Sequence, residues 1–435
     1  MNSPKLPIIK NIKELASNSL RRDALDILEA GYEAILTEQV LVENVSLSGQ
    51  ILKIKDKKYN LAKYKKVFLI AVGKCANRSA AVLEEILDGK IIGGVVLDVE
   101  PAKFKKLKSK VGFHPLPAKE NILATKSIIK ILEQAKKDDL VLTIISGGGS
   151  ALLCKPVSGV DDESLKQITQ SLMEKGATIG EINIVRKHLS QIKGGQFAKL
   201  AFPAQLVSVI FSDVPGDDIS MIASGPTVLD ETTKKDAQIV LESYFADERF
   251  DGGVEMISFL RETPKEEKYF KQVDNILLVT NKVALAAMRQ KAEDLGYESC
   301  IELTDLQGEA RKAGGQLISE EFLPKSCHFW GGETTVQITG DGKGGRNQEF
   351  VLGTLANLPE GTLVIAAASD GWDNTDVAGA LADSDLLEKM EKKKINPKEY
   401  LKNNDSYNFF KKMKTQIKTG RTGINVADFY LILRK

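Results

Sequence analysis

The chain has 435 residues, and its 60 basic residues against 59 acidic residues give a formal net charge of +1. This length exceeds the roughly 250–300 residues at which one hydrophobic core stops growing, so we expect two domains. A composition of 43% hydrophobic and 27% charged residues excludes a disordered chain. The balanced charge excludes a general basic surface for nucleic acid and leaves only local clusters for binding anions.

Cysteine spacing and apolar stretches indicate the cellular compartment. The chain has four cysteines, Cys75, Cys154, Cys300 and Cys327. They are far apart and form no Cys-x-x-Cys pair, which argues against a zinc site or a disulfide framework. Residues 1–13 lack the apolar stretch of a signal peptide, and no run approaches the roughly 20 apolar residues of a membrane span. We therefore expect a cytoplasmic protein that contacts neither membrane nor nucleic acid.

Short apolar runs alternate with helical patterns, which favours an α/β fold with a largely parallel sheet. The first half predicts helices at 21–36, 77–87, 121–134, 162–175 and 179–192, strands at 67–72, 94–99, 140–145 and 206–211, and a hairpin of 45–47 with 51–54. A charged, proline-broken stretch at 262–268 marks the predicted boundary between domains 1–262 and 263–435. The second half predicts strands at 276–280, 300–303, 328–330, 334–339 and 363–368, and helices at 282–295, 309–322 and 346–357.

Two candidate features follow buried strands of the first half. Lys74 follows strand 67–72; a cation there can reach a crevice and neutralise charge on a phosphoryl group, although lysine is more often a surface residue. Strand 140–145 precedes a glycine turn made of Ser146, Gly147, Gly148, Gly149 and Ser150. Consecutive glycine N–H groups at the carboxyl end of a strand predict an anion site. A plain strand-to-helix connection is the alternative.

Two basic residues lie in and directly after the predicted helix 179–192. Arg186 and Lys193 are seven residues apart and would share one helix face, which suits a carboxylate or a phosphate. His188 has no identified partner, so a structural role is favoured over that of a base.

A glycine-rich run at 340–345 leads into predicted helix 346–357. Gly344, Gly345 and Asn347 lie at the helix start, where unpaired N–H groups favour a phosphate, and Arg346 adds a planar guanidinium. A solvated hairpin is the alternative. The run also has the spelling Gly-x-Gly-x-x-Gly, but it comes late in the chain and lacks a suitably placed ribose-binding acid, so a dinucleotide site is disfavoured.

Acidic residues follow several predicted strands. Asp213, Glu333 and Asp370 are candidate Mg²⁺ ligands, because loop carboxylates that converge on phosphates suit this ion. Taken singly, each is typical of a residue that stabilises a turn. P-loop and protein-kinase motifs are absent. The residues alone therefore predict an α/β enzyme that acts on a phosphorylated or anionic small molecule.

At these motifs the chain resembles the class II glycerate kinases, the glycerate 2-kinase family with a MOFRL-type carboxyl-terminal domain. The matching segments run in order over nearly the whole chain: VGK at 72–74, HPLP at 114–117, SGGGSAL at 146–152, EIN at 181–183, VRKHLS at 185–190, IKGG at 192–195, SDVPGD at 212–217, ASGPT at 223–227, GGETTV at 331–336 and GGRNQE at 344–349.

The resemblance implies a Rossmann-like domain with a mainly parallel sheet, a smaller mixed α/β domain, and an active site in the cleft between them. It implies ATP- and Mg²⁺-dependent phosphorylation of D-glycerate at its 2-hydroxyl, giving 2-phosphoglycerate and ADP. Lys74 and Arg346 would be the catalytic pair. On this hypothesis Asp213 or Asp370 orients or deprotonates the hydroxyl, and Arg186 or Lys193 binds the carboxylate.

Departures from the family pattern leave alternatives open. Asn374 stands where a Gly-Pro pair is usual, Arg421 replaces proline, and Ile424 replaces threonine. A kinase for a related small hydroxy acid therefore stays open. Two further alternatives are an NAD(P)H-dependent hydroxypyruvate reductase and a non-catalytic nucleotide or metabolite sensor. The oligomeric state is open between monomer and homodimer.

Overall fold

The computed structural model describes residues 6–245 and 253–435, which form two compact units. Unit 1 combines Met1–Leu36, Asp213–Gly216 and Val279–Lys435, and unit 2 combines Thr37–Ser212 and Asp217–Leu278. The units are therefore not contiguous in sequence, whereas the predicted domains are. The boundary between residues 262 and 263 stays a prediction.

The helices and strands are as follows. The helices are α1 (Ile12–Leu15), α2 (Ser19–Ala34), α3 (Thr37–Asn44), α4 (Ala76–Ile86), α5 (Lys119–Gln134), α6 (Gly149–Leu152), α7 (Asp162–Glu174), α8 (Ile179–His188), α9 (Gln196–Ala201), α10 (Lys234–Phe245), α11 (Gly253–Ile257), α12 (Asn281–Asp294), α13 (Ala310–Leu317), α14 (Arg346–Thr354), α15 (Ser384–Lys392), α16 (Pro397–Lys402) and α17 (Ser406–Met413). The strands are β1 (Val45–Ser48), β2 (Ile51–Ile54), β3 (Lys57–Asn60), β4 (Lys66–Val72), β5 (Ile91–Asp98), β6 (Leu107–Val111), β7 (Asp139–Ile145), β8 (Gln205–Phe211), β9 (Val273–Val279), β10 (Glu298–Leu306), β11 (Ser326–Gly332), β12 (Thr362–Ala368), β13 (Gly379–Ala382), β14 (Gln416–Ile417) and β15 (Asp428–Arg434). Within the described ranges, none of these helices is long and apolar enough to cross a membrane.

Unit 2 is built on a six-stranded sheet with the order β6-β5-β4-β7-β8-β9. Strand β4 pairs in parallel with both β5 and β7. Its apolar residues from Val67 to Val72 are all buried, as expected for a parallel strand covered on both faces. The strand order reverses between β4 and β7, and open α/β sheets bind ligands outside the carboxyl ends of the strands at this switch point. The predicted Rossmann-like parallel sheet is confirmed.

A small antiparallel sheet of β1, β2 and β3 precedes the parallel sheet. The predicted hairpin is confirmed, because Val45 pairs with Ile54 and Ser48 with Ile51. Strand β3 was not predicted, since its Lys-Lys-Tyr-Asn sequence has little apolar alternation.

Unit 1 is built on a mixed sheet with the order β10-β11-β15-β12-β13-β14. The central strand β15 runs antiparallel to both β11 and β12. Its first residue, Asp428, pairs with Gly332 at the end of β11 and with Ala368 at the end of β12. The loops that follow these two strands therefore begin at the same end of the sheet as Asp428. Helix α14 packs on this sheet through Phe350, whose ring lies 4.5 Å from that of Tyr430.

Two predicted elements are wrong. Residues 334–339 form no strand, apart from one isolated bridge at Thr335, because this segment bonds to a distant loop: Thr339 N donates to Asn404 Oδ1 at 2.7 Å. The predicted helix 179–192 ends at His188. Gly194 and Gly195 follow with left-handed φ values of 55° and 79°, which a continuing helix cannot accommodate.

Candidate active site

The glycine turn of unit 2 joins the carboxyl ends of the two central strands. Ser146 N donates to Val72 O at 3.0 Å, and Lys74 N donates to Gly147 O at 2.9 Å. Gly148 has a φ of 82°, which favours glycine. The N–H groups of Gly147 and Gly148 have no protein acceptor within residues 6–245 and 253–435. The structure thus places Lys74 and the predicted anion turn together at the switch point of the sheet.

Lys193 contacts this turn, and Arg186 lies close enough to Lys193 to affect its pKa. Lys193 is only 3% exposed, and its Nζ donates to Ser150 O at 2.6 Å. Burial lowers the pKa of Lys193 to about 7; Cys154 opposes this shift and Arg186 adds to it. Burial also lowers the pKa of Arg186, which has no hydrogen-bond or ion-pair partner in the described part of the chain. Buried cations without a counter-ion are costly, which points to an anionic ligand.

The two cations do not share a helix face, which corrects the sequence-based prediction. Arg186 lies in the last turn of α8, whereas Lys193 follows the helix end in a turn. His188 is fully buried, and its Nδ1 lies 2.9 Å from Ile184 O within the same helix. Its Nε2 lies 3.5 Å from Glu262 Oε1, so its contacts fit the structural role.

A strained loop that we did not assign from the sequence packs on the glycine turn. Ala223 and Ser224 have left-handed φ values of 51° and 60°, a conformation that costs non-glycine residues about 1 kcal/mol or more. Ser224 Oγ donates to Asn183 Oδ1 at 2.8 Å and lies 3.4 Å from Ser150 Oγ. A Cβ on Gly149 would lie 2.8 Å from the Cβ of Ala223. Such strain is typical of functional sites, and the ASGPT motif was its only sequence signal.

In unit 1, Arg346 is held between two carboxylates. Its Nε and Nη2 donate to the two oxygens of Asp428 at 2.5 and 3.0 Å, and its Nη1 lies 2.9 Å from Glu333 Oε1. Asp428 is 1% exposed. Although burial opposes the charge, Asp428 and then Glu333 raise the pKa of Arg346. Sequence reasoning missed Asp428, whose only signal was its position before the apolar run 429–433.

The start of helix α14 already holds a protein carboxylate. Asp373 Oδ1 accepts from Asn347 N at 2.9 Å and from its Nδ2 at 3.2 Å, and Oδ2 accepts from both the N and the Nε2 of Gln348 at 2.9 Å. A Cβ on Gly345 would lie 2.0 Å from Asp373 O, and one on Gly344 2.2 Å from a serine hydroxyl. These glycines thus allow close packing. Asn347 N is already occupied by Asp373, and the phosphate site at Gly344, Gly345 and Asn347 stays a prediction.

This cap leads to a stability prediction. Replacing Asp373 with alanine leaves buried N–H donors without an acceptor, so we expect the free energy of unfolding to fall by about 2–4 kcal/mol. Chemical denaturation measures the change. Asp341→Ala is the matched control, because Asp341 lies exposed in the neighbouring glycine run. Equal stability of the two variants would contradict the capping role.

The predicted Mg²⁺ ligands lie in unit 1 but do not form a metal cage. Burial raises the pKa of Glu333; Arg346 opposes the shift, while Asp428, Asp213 and Asp370 add to it. Asp370 Oδ1 also accepts from Trp372 N at 2.9 Å, as in a turn. Among the described residues, no three His, Cys, Asp or Glu side chains are grouped to hold a metal ion. Asp213, Glu333 and Asp370 therefore interact electrostatically without forming a complete ligand set.

Comparisons with known proteins agree with this architecture. The model of the domain of unknown function DUF4147 matches residues 23–257, and the MOFRL family model matches residues 326–428. The chain is 36% identical over 433 residues to the D-glycerate 2-kinase of Thermotoga maritima, covering 95% of this chain and 98% of that protein. It is 36% identical over 384 residues to an Agrobacterium vitis protein provisionally named hydroxypyruvate reductase, covering 84% of this chain and 86% of that protein.

A solved structure extends this similarity to the fold. The crystal structure of glycerate kinase from Thermotoga maritima matches with a TM-score of 0.84 and 34% identity, covering 96% of this chain and 100% of that chain. The similarity thus spans both sheets and both family domains. The resemblance inferred from the motifs is confirmed: the chain belongs to the glycerate kinase family with a MOFRL carboxyl-terminal domain.

Proposed function

We propose that this protein transfers the γ-phosphoryl group of ATP to the 2-hydroxyl of D-glycerate, giving 2-phosphoglycerate and ADP. The observation that carries the proposal is the buried Lys193, which contacts the glycine turn at the switch point of the parallel sheet, together with the half-buried Arg186 near it. Both lack a carboxylate partner, as a site for an anionic substrate requires. The near-full-length similarity to a D-glycerate 2-kinase supports the choice of substrate.

The residues have separate roles in this proposal. The N–H groups of Gly147 and Gly148 bind phosphate oxygens, and Lys74 neutralises charge on the phosphate chain. Lys193 and Arg186 bind the glycerate carboxylate, which orients the 2-hydroxyl.

In unit 1 the proposed groups are Arg346 and the acids Asp213 and Asp370. Arg346, oriented by Asp428, offsets the charge on the transferring phosphoryl group. Asp213 or Asp370 orients the hydroxyl or accepts its proton.

The acids of unit 1 also suit Mg²⁺. Glu333, Asp213 and Asp370 offer the hard carboxylate oxygens that this ion prefers, and a phosphate-bound Mg²⁺ needs only one or two protein carboxylates. An incomplete protein ligand set therefore fits an ion that arrives with the nucleotide. When bound, the ion would neutralise charge on the phosphate oxygens.

A cytoplasmic location and a state of monomer or homodimer stay predictions.

Hydroxypyruvate reduction is the second candidate, because one relative carries that provisional name. The residues give it less support. The turn after β4 reads Val72-Gly73-Lys74-Cys75-Ala76, without the glycine fingerprint of dinucleotide sites. The late Gly-x-Gly-x-x-Gly run follows no strand, and Gly340 N donates to Asn404 Oδ1 at 3.1 Å.

Phosphorus NMR of the products tests the proposal. Purified protein with ATP, Mg²⁺ and D-glycerate should yield the phosphomonoester signal of 2-phosphoglycerate, not that of 3-phosphoglycerate, and Lys74→Met should abolish it. A parallel sample with NADH and hydroxypyruvate should show no loss of nicotinamide absorbance. Steady NADH oxidation would favour the reductase, and tight ATP binding without turnover on any hydroxy acid would favour a sensor.

A further inference from the structure

The loop that follows β6 is fastened to the glycine turn by one buried amide. Asn121 is fully buried, and its Oδ1 accepts from Phe113 N at 2.8 Å and from Ala118 N at 3.2 Å. Its Nδ2 donates to Phe113 O and to Ala151 O, both at 2.9 Å. All four hydrogen bonds that the amide can make are formed. The loop is therefore held in a fixed place relative to the residues just after the turn.

This anchoring places His114 against Gly148. A Cβ on Gly148 would lie 3.1 Å from Cδ2 and 3.5 Å from Nε2 of His114, and 3.3 Å from Cγ of Lys74. The imidazole and the lysine stem thus pack on the same glycine. A side chain at this position would displace one or both.

The ring of His114 differs from the other two imidazoles of the chain. Nδ1 of His188 lies 2.9 Å from a backbone carbonyl, and Nδ1 of His328 lies 2.7 Å from Glu302 Oε1. The ring nitrogens of His114 have no protein hydrogen-bond partner in the part of the chain that the structure describes. The residue is partly open to solvent, so its ring nitrogens are available to a ligand.

The charge state of His114 suits the presence of Lys74. Desolvation of the ring, followed by the ammonium of Lys74, lowers the pKa of His114 to about 4. The ring is therefore neutral near pH 7 and adds no repulsion to the lysine. A neutral imidazole still donates one N–H.

We propose that His114 contacts the nucleotide, with a ring N–H donating to a phosphate oxygen held at the glycine turn. The proposal rests on the kinase function proposed above and adds a binding residue to it. The contact uses a neutral donor next to a cation, so it fixes the position of the phosphate chain without further positive charge. A hydrogen bond to a charged oxygen accounts for about a tenfold change in affinity or more.

Imidazole NMR provides a direct test, because the chain has only three histidines. Histidine-labelled protein is titrated with the Mg²⁺ complex of a non-hydrolysable ATP analogue, and His114→Gln assigns the signal of residue 114. We expect the His114 signal to shift at saturation while the His188 and His328 signals stay in place. An unmoved His114 signal in analogue-saturated protein would overturn the proposal.

Kinetics supply the second readout. His114→Ala should raise the KM for ATP about tenfold and leave the KM for glycerate unchanged, and His114→Gln, which keeps a donor, should recover part of the loss. His328→Gln is the matched control. Equal KM values for ATP in active wild type and His114→Ala would refute the contact. Absence of phosphorylation by the wild type would instead refute the kinase function, and the NMR titration would still report on the contact.

Discussion

Replacing Arg346 with alanine should lower kcat by about 10³-fold or more, because an arginine that stabilises the transferring phosphoryl group contributes at least that factor. The same change should destabilise the protein by about 3–5 kcal/mol, because Asp428 then stays buried without its partner. Steady-state kinetics measure the first effect, and chemical denaturation measures the second. The two effects have different causes and can be separated.

The double variant Arg346→Ala/Asp428→Asn separates them. Neutralising Asp428 removes the orphaned buried charge, so much of the lost stability should return. Turnover should stay low, because the guanidinium is still missing. If stability and kcat both recovered in the double variant, Arg346 would have a structural role only, and the catalytic role would be withdrawn.

The position of the glycine turn of unit 2 was predictable from sequence because its signals are local. An unbroken apolar run marks each central strand, and the residue after the run lies at the carboxyl end, where ligands bind. Lys74 and the turn 146–150 follow two such runs. Their proximity also depends on the pairing of β4 with β7, which the alternating pattern of strands and helices already favours.

The glycine run at 340–345 has contacts that a local sequence pattern does not predict. Glycine and a following helix predict a phosphate cradle equally well whether or not the N–H groups are available. Here Asn404 accepts from Gly340 N at the start of the run, and Asp373, 26 residues away, accepts from Asn347 N in the first turn of the helix. The role of Asp428 was not predicted from the sequence for a related reason. Its importance comes from the central place of β15, which is set by pairing with β11 and β12.

Arg186 and Lys193 were proposed together for a wrong reason. Helical spacing suggested a shared face, yet the helix ends between them. They still influence one another, since Arg186 contributes to the lowered pKa of Lys193. Sequence shows that two cations are near in the chain, but the burial of Lys193 is a property of the fold.

That burial leads to a prediction in which function and stability change in opposite directions. Lys193→Met should raise the KM for glycerate by about 10–100-fold, the loss expected for a hydrogen bond to a charged group. The free energy of unfolding should stay the same or increase, because methionine fills a similar volume without a buried charge. The measurements are steady-state kinetics and chemical denaturation of the same preparation.

Lys187→Met is the matched control, at a lysine six positions earlier. The side chain of Lys187 is 6% exposed, and its Nζ lies 3.2 Å from Asp230 Oδ1, whose side chain is 1% exposed. Its removal leaves a buried carboxylate without its cation, with only Thr232 donating to it among the described residues, so this variant should lose about 3–5 kcal/mol. Equal loss of stability in both lysine variants would show that Lys193 is not an uncompensated charge.

The pH dependence provides an independent check on Lys193. Its pKa is about 7 in the folded protein against an ordinary value of 10.5. Between these values the unfolded chain binds the proton and the folded protein does not, so the free energy of unfolding should rise with pH across this window. Lys193→Met should lack this component. Affinity for glycerate should fall as pH rises through about 7, because the amine loses the charge that binds the carboxylate. Affinity that stayed constant over this range would mean that another group holds the carboxylate.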